Sequence, residues 1–172
     1  MLIKIIGSAI VIISTAMIGF SFAAKLEKRK RTLGDFSSAL TMLETEISFA
    51  SNPLKTAFLT ISKALDSDVG LFFGDIAQSM DDGRIGTKHI WDEALAAHAP
   101  TMSLTTADME IISAFAVQLG KTDRESQLKN IAHTKALLSA QTANAGDMCS
   151  KNKQMYQSAG ILSGCLIAIL LF

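Results

Sequence analysis

Proline, cysteine and aromatic residues are scarce in this chain. Its 172 residues include two prolines, two cysteines, one tryptophan and one tyrosine. Cys149 and Cys165 are sixteen positions apart on one predicted helix, about 24 Å of rise, which is too far for a disulfide bond within the chain. The spacing of Cys and His offers no close ligand group for a metal, so we expect neither a metal nor a cofactor.

Motifs that carry catalysis are also missing. The sequence has no G-x-x-x-x-G-K-[ST] loop for nucleotide phosphates. His89 and Glu93 can meet on one helix face, but they lack the third ligand of a zinc site. Glu44 and Glu46 point to different sides of a helix and cannot form an acid–base pair. A Ser-His-Asp arrangement at His98 or His133 stays open, because such triads assemble in space, although neither histidine has a nucleophile nearby in sequence. We therefore predict that the protein is not an enzyme.

The balance of charge differs between the ends and the middle of the chain. Sixteen basic and sixteen acidic residues cancel overall, but residues 32–150 hold fifteen Asp and Glu against eight Lys and Arg. An acidic domain lacks the positive surface that nucleic acid binding needs. The basic residues outside it are placed to contact anionic lipid headgroups instead.

Long apolar segments stand at both ends of the chain. Within Leu2–Ala24 the only charged residue is Lys4, and the following 20 residues make about 30 Å of helix, enough to cross a bilayer. Met155–Phe172 gives about 27 Å, a marginal span. We predict transmembrane helices at residues 1–24 and 154–172, a basic juxtamembrane segment at 25–31 and a helical domain at 32–153.

The basic residues flank both apolar segments on the side that faces the middle of the chain. They are Lys25, Lys28, Arg29, Lys30 and Arg31 after the first segment, and Lys151 and Lys153 before the second. Because positive flanks stay in the cytoplasm, we predict a cytoplasmic central domain with both termini external. The alternative is a signal peptide cleaved after Ser21-Phe22-Ala23, but its apolar run is too long and the basic cluster that follows opposes export.

The central region is predicted to be helical throughout. Apolar residues recur at steps of three and four in several stripes, and no alternating strand-length run occurs. The first stripe comprises Leu33, Phe36, Leu40, Leu43, Ile47 and Ala50, and the last comprises Leu128, Ile131, Leu138, Ala145 and Cys149. We predict an all-α bundle of about six helices between the terminal helices, with the first and last helices long and antiparallel.

Polar, glycine and proline residues predict where these helices begin and end. Expected starts are Asn52-Pro53, Thr87, the capping box Thr105/Asp108 and the capping box Thr122/Glu125; expected ends are Asp82-Gly83, Pro100 and Gly120. No proline follows Asp123, so one helix of about 50 residues is predicted from there into the membrane.

Two further patterns indicate contacts with other helices or proteins. Gly160 and Gly164 form G-x-x-x-G, which lets a helix approach closely, either the first anchor through Thr15 and Gly19 or a neighbouring subunit. A run of acidic residues in the middle of the chain would steer a basic partner if it also clusters in space, although solubility explains it as well. It comprises Asp66, Asp68, Asp75, Asp81, Asp82, Asp92 and Glu93.

Three sequence blocks, in order and between two terminal anchors, resemble the stage III sporulation protein AB family. They are TMLETEI at 41–47, WDEAL at 91–95 and LGKTDRESQLK at 119–129. The resemblance covers essentially the whole chain. Asp123, Arg124, Glu125 and Gln127 match the family motif, where a helix cap and a partner contact are both implied; Glu44 and Glu46 are further candidates for a partner interface.

The resemblance implies a function that the residues alone do not. Members of the family belong to the channel, or feeding tube, between mother cell and forespore in endospore-forming bacteria. Their soluble part is similar to the cytoplasmic F domains of type II secretion and type IV pilus platform proteins.

By that analogy the protein is a non-catalytic membrane platform on the mother-cell side. It would contact the cytoplasmic ATPase of the complex, the AA protein, together with other membrane components and possible further copies of itself. The alternative is a membrane-tethered helical adaptor of another secretion or pilus-like system.

Overall fold

Every regular element in the structure is helical. A computed structural model of the chain describes residues 2–50, 53–80, 87–120 and 123–171, and these contain no strand. The elements are α1 (Leu2–Thr45), a π-helical turn (Glu46–Ala50), α2 (Leu54–Ala64), α3 (Asp68–Ser79), α4 (Thr87–Met102), α5 (Thr106–Ala116) and α6 (Arg124–Leu171). The predicted all-α fold with long first and last helices is confirmed.

The chain divides into two compact units. The terminal unit comprises the described residues up to Lys30 and those from Asn144 onward, and the central unit comprises residues 31–143. Helices α1 and α6, with 44 and 48 residues, contribute to both units. The four shorter helices belong to the central unit alone.

An aromatic cluster forms the middle of the central unit. Trp91 on α4 lies edge-on to Phe72 and Phe73 on α3, with ring centroids 5.0 and 5.6 Å apart. Phe58 and Phe115 lie 6.0 and 5.5 Å from the same indole. Because each large ring buries 150–250 Å² and edge-on pairs are favourable, this cluster supplies much of the energy that holds α2, α3, α4 and α5 together.

The long helices bury the stripes that their spacing predicts. On α1, Leu33, Phe36, Leu40 and Leu43 are at most 2% exposed, and Phe36 reaches Phe72 at 5.5 Å. On α6 the buried members are Ile131, Leu138 and Ala145. Ile47, Leu128 and Cys149, at the edges of these stripes, are only partly buried.

One predicted boundary is corrected by the structure. Pro53 is not the first residue of α2 but the residue before it, because its ψ of 142° is extended. The predicted stop of α4 near Pro100 agrees with the structure, where Pro100 lies in the last turn and the helix ends at Met102. Thr32 of α1 donates to the Met102 carbonyl oxygen at 3.1 Å.

The predicted capping box at the start of α5 is confirmed. The Asp108 side chain accepts from the Thr105 backbone N–H at 2.9 Å, and the Thr105 hydroxyl accepts from the Asp108 N–H at 3.3 Å. After α5, Gly120 has a φ of +75°, which glycine adopts without strain. The predicted signals at Asn52, Asp82-Gly83 and Thr122 lie outside the described residues.

Replacing Asp108 with alanine should destabilise the central unit by about 1–2 kcal/mol, because the backbone N–H of Thr105 at the start of α5 loses its acceptor. Asp108 is fully buried and also accepts from the Thr105 hydroxyl at 2.7 Å. Urea unfolding followed by circular dichroism measures the loss. Glu110→Ala, an exposed position on the same helix, should change stability by less than about 0.5 kcal/mol; equal losses in both variants would contradict the role of the cap.

Candidate functional site: helix contacts and exposed surfaces

The terminal unit is built on a close contact between α1 and α6. A Cβ atom added to Gly160 would lie 2.8 Å from the Thr15 carbonyl oxygen and 3.1 Å from the Gly19 Cα. A Cβ on Gly19 would lie 2.5 Å from the Tyr156 carbonyl oxygen. Side chains cannot be accommodated at these distances, so glycine permits the two backbones to touch.

The same contact continues one turn further along both helices. A Cβ on Gly164 would lie 2.3 Å from Thr15 Oγ1 and 2.9 Å from the Ile12 Cα. The Thr15 hydroxyl donates within its own helix to the Val11 carbonyl at 3.0 Å. Because Gly164 opposes Thr15 and Gly160 opposes Gly19, the two helices are antiparallel. The structure thus brings together the four residues that the G-x-x-x-G motif singled out, within one chain.

Charged and aromatic pairs follow the glycine contact. Phe22 stacks on Tyr156 with centroids 5.7 Å apart, and Lys25 Nζ lies 5.7 Å from the Phe22 ring centre. Beyond them Lys153 donates to Glu27 at 2.7 Å, and this bond raises the pKa of Lys153. Aromatic rings followed by charged groups are typical of the boundary between lipid and water.

The apolar surface of α1 is largely exposed. Its most apolar 18-residue window has a mean hydropathy of 1.9, and 11% of that window is buried. A core helix of a soluble protein would bury most of such a window. In the residues that the structure describes, this is the one helix long and apolar enough to cross a membrane.

By length and composition, the described part of α6 does not qualify as a membrane span. It nevertheless exposes large apolar side chains, namely Leu162, Leu166, Ile169 and Leu170, each at least 61% exposed. The predicted span at 154–172 therefore stays a prediction, now with an observed partner helix beside it.

The candidate interface residues on α1 occupy different surroundings. Glu44 accepts from Lys135 of α6 at 2.8 Å, and both side chains are partly exposed. Glu46 begins the π-helical turn and is half-buried. The Glu44–Lys135 pair joins the end of α1 to α6. The carboxylate of Glu44, a candidate for a partner interface, therefore forms an ion pair within the chain.

The motif residues at 123–127 form the first turn of α6. The Asp123 carboxylate accepts from the Ser126 N–H at 3.2 Å and from the Ser126 hydroxyl at 2.7 Å, and these bonds lower its pKa. Glu125 pairs with Lys129 at 2.8 Å on the surface. Asp123 therefore acts as the cap, while Arg124 is exposed and Gln127 is half-buried.

The candidate interface residues at the end of α1 and those at the start of α6 lie at the same end of the central unit. Helices α1 and α6 are antiparallel and meet at Glu44 and Lys135. The C-terminal end of α1 and the N-terminal end of α6 therefore lie at the same end of the unit. The turn before α6 is there too, because a Cβ on Gly120 would meet Leu54 of α2 at 3.0 Å. We call this region, comprising residues 46–50, 54 and 120–127 where described, the distal end.

The sequence patterns did not indicate one exposed aromatic residue at the distal end. Phe49 in the π-helical turn is 87% exposed, more than any other large apolar side chain in the described residues. π-helical turns are uncommon in proteins, and those that occur are frequently found at functional sites. The available signal was its spacing, since Phe49 falls outside the stripe that Leu43 and Ile47 continue.

A cluster of three polar side chains joins α4 to α5 in the central unit. Lys88 donates to Asp92 and to the Ser113 hydroxyl (3.0 Å), and Ser113 donates to Asp92 at 2.7 Å. Burial opposes the charge on Asp92, but these two donors outweigh it and lower its pKa.

His89 and Glu93, the residues weighed as metal ligands, contact each other. His89 and Glu93 are 3.3 Å apart on α4. Among the described residues no group of three His, Cys, Asp or Glu side chains could hold a metal ion. His98 of α4 contacts Asp75 of α3 at 2.7 Å and bridges these two helices.

Comparison with known proteins identifies the family. The sequence profile described as stage III sporulation protein AB matches residues 4–172. The chain belongs to the stage III sporulation protein AB family. Stage III sporulation protein AB of Bacillus subtilis (strain 168) is 32% identical over 170 residues, which is 99% of each chain.

A solved structure gives the same result for the fold. A structure of stage III sporulation protein AB matches with a TM-score of 0.66 and 32% identity, over 71% of this chain and 96% of the solved one. The resemblance drawn from the three sequence blocks is therefore confirmed. The family is named for sporulation, and its name states no enzymatic activity.

Proposed function

We propose that this protein is a non-catalytic membrane platform of the sporulation channel between mother cell and forespore, and that it couples a cytoplasmic ATPase to the membrane complex. The observation that carries the proposal is the match to the stage III sporulation protein AB family over residues 4–172. A match of this extent includes both terminal helices as well as the central unit. An adaptor of a different secretion system has no comparable support.

Membrane attachment is supported by the terminal unit. The apolar window of α1 is 11% buried, and the glycine contact gives α6 a place beside it. Helices in lipid associate through such small-residue contacts because lipid provides no hydrophobic drive between them. We propose that both helices span the membrane with the central unit in the cytoplasm, since the basic flanks adjoin that unit.

The distal end is the proposed contact for the ATPase. It combines an exposed aromatic ring, Phe49, with exposed charged residues of both signs, among them Arg124 and Glu125. Exposed aromatic and arginine side chains are enriched where proteins bind one another.

The test uses the full chain in nanodiscs and the purified sporulation ATPase. We expect micromolar binding, and Phe49→Ala combined with Arg124→Glu should weaken it roughly tenfold or more. Glu110→Lys, an exposed charge change on α5, should leave binding unchanged. No retention of the ATPase at micromolar concentration would overturn the proposed coupling.

Topology has a separate test. In sealed vesicles with the cytoplasmic face inside, externally added protease should leave the central unit intact and remove tags from both termini. Digestion of the central unit from outside would overturn the proposed orientation. Protection of a C-terminal tag alone would show that α6 does not cross.

A further inference from the structure

A groove of about 180 Å³ lies on α1 in the terminal unit. It is lined by Met17, Ile18, Ser21, Phe22 and Lys25. The three apolar side chains among them, Met17, Ile18 and Phe22, are 65%, 58% and 50% exposed. The groove is therefore open to whatever surrounds the terminal unit.

Ser21 is the smallest side chain of the groove and lies at its middle. It stands four residues after Met17 and four before Lys25, so the three side chains share one helix face and the serine leaves a depression between longer neighbours. The Ser21 hydroxyl donates to the Met17 carbonyl oxygen at 2.8 Å. Because its one O–H is bonded within the helix, the depression suits an apolar chain.

Lys25 stands at one end of the groove and is the one charged residue of the five that line it. Its ammonium lies 5.7 Å from the Phe22 ring centre, a cation–π contact. Glu27 is the only acidic residue before Asp35 in the sequence, and it accepts from Lys153. An aromatic ring supplies no oxygen acceptor, so the N–H donors of Lys25 remain available to an anionic group such as a phosphate.

The direction of the groove matches that of a phospholipid in one leaflet. Lys25 and Met17 are eight residues apart, about 12 Å along the axis of α1, and one leaflet contributes about 15 Å to the hydrocarbon core. Lys25 lies beside the stacked rings of Phe22 and Tyr156, which are placed at the proposed boundary between lipid and water. The charged end of the groove therefore lies at the level of the headgroups, and its apolar end lies in the hydrocarbon.

The charge at Lys25 favours an anionic lipid over a second copy of the chain. Under the proposed topology the groove opens to the cytoplasmic leaflet, which carries anionic lipids. Two copies packed side by side in the same orientation across this groove would bring two Lys25 ammonium groups together, and like charges repel. A lipid with net negative charge neutralises the ammonium, whereas a zwitterionic lipid brings a cation of its own.

We propose that the groove on α1 binds an anionic phospholipid, with an acyl chain along Met17, Ile18 and Phe22 and the headgroup phosphate at the Lys25 ammonium. The site rests on the proposed membrane attachment of the terminal unit. It goes beyond that attachment because it selects one class of lipid at one position. It uses no residue of the distal end.

The test measures lipid binding to the full chain in a neutral detergent by native mass spectrometry. The probes are phosphatidylglycerol and phosphatidylcholine with the same acyl chains. The first phosphatidylglycerol should bind at least roughly fivefold more tightly than phosphatidylcholine, because a lysine near the headgroup attracts only the lipid with net charge. Glycerophosphoglycerol, which is the anionic headgroup without acyl chains, should not displace the bound lipid.

Variants of α1 assign the binding to the groove. Lys25→Gln should reduce the preference for phosphatidylglycerol to less than about twofold. Ser21→Leu fills the depression and should weaken binding of both lipids. Lys30→Gln is the matched control for charge, because it removes the same charge from an exposed position outside the groove. Circular dichroism verifies that each variant is folded.

Several outcomes would overturn the proposal. Equal affinity for the two lipids, or equal losses in Lys25→Gln and Lys30→Gln, would show that no defined headgroup site exists. Displacement of the lipid by glycerophosphoglycerol, or undiminished binding in Ser21→Leu, would place no acyl chain in the groove. Two chains that associate in place of lipid would assign the groove to a second copy.

Failure of the proposed function is measured separately. The protease test in sealed vesicles reports the topology, and retention of the ATPase reports the coupling. Lys25→Gln should change neither result, because four other basic residues remain in the juxtamembrane segment at 25–31 and the distal end is unaltered. Loss of lipid selectivity with both results intact would therefore contradict the lipid site alone.

Discussion

Replacing Gly160 with leucine is expected to separate α1 from α6 in the terminal unit. Even the first atom of the new side chain would lie 2.8 Å from the Thr15 carbonyl oxygen, and that oxygen belongs to the backbone and cannot turn away. Overpacking of this kind costs about 1–3 kcal/mol. Helix association in a membrane contributes little beyond such contacts, so the loss should reduce pairing by roughly fivefold to a hundredfold.

Disulfide formation across the helix pair measures the effect. Phe22 and Tyr156 face each other with ring centroids 5.7 Å apart, so Phe22→Cys and Tyr156→Cys are placed for oxidation to a disulfide, or for a short bis-maleimide crosslink, once Cys149 and Cys165 are replaced by serine. Gly160→Leu should lower the yield in that background. Gly7→Leu is the matched control, because a Cβ at Gly7 meets nothing within 4 Å. An unchanged yield in Gly160→Leu would show that glycine is not required for the contact.

Features that depend on neighbours in sequence were predictable. The capping box of Thr105 and Asp108 is local, because both partners lie within one turn, and it forms as expected. The stripes on α1 and α6 follow from helical period alone. Pro100 predicts the end of α4 to within two residues, because a proline is tolerated in the last turn, where it removes only one hydrogen bond.

Features that depend on packing between distant segments were not predictable. The sequence offered Gly160 two partners, the first anchor or another subunit, and only the three-dimensional register places it against Gly19. No local sequence pattern predicts that Glu44 pairs with Lys135, which lies 91 positions away. The contact of His98 with Asp75 likewise requires the packing of α4 on α3, because these residues lie 23 positions apart along the chain.

The exposed Phe49 illustrates a third kind of limit. Apolar residues near a helix end predict burial, and the stripe of Leu43 and Ile47 led toward Ala50. The π-helical turn at Glu46–Ala50 changes the angle between successive residues, so the stripe no longer follows the 3.6-residue period there. A local change in helical pitch has no strong sequence signal, and the exposed ring emerged only in the structure.

Replacing Trp91 with alanine should cost about 3–5 kcal/mol, the largest loss we expect from one substitution in the central unit. Trp91 is 1% exposed, and four phenylalanine rings lie within 6.0 Å of it. The substitution removes all four ring contacts at once and leaves a cavity between the phenylalanines. Domains are stable by only about 5–15 kcal/mol, so the variant would be close to unfolding at growth temperature.

Urea unfolding of the full chain in detergent, followed by circular dichroism, measures this loss. With a slope of about 1–3 kcal/mol per molar, the midpoint should fall by roughly 2 M. Phe49→Ala removes an aromatic ring that is 87% exposed and should shift the midpoint little. Trp91→Phe keeps a ring and deletes the indole N–H, which has no hydrogen-bond partner among the described residues, so it should cost less than about 1.5 kcal/mol. Similar shifts for Trp91→Ala and Phe49→Ala would contradict an aromatic cluster as the source of stability, because only one of the two rings belongs to it.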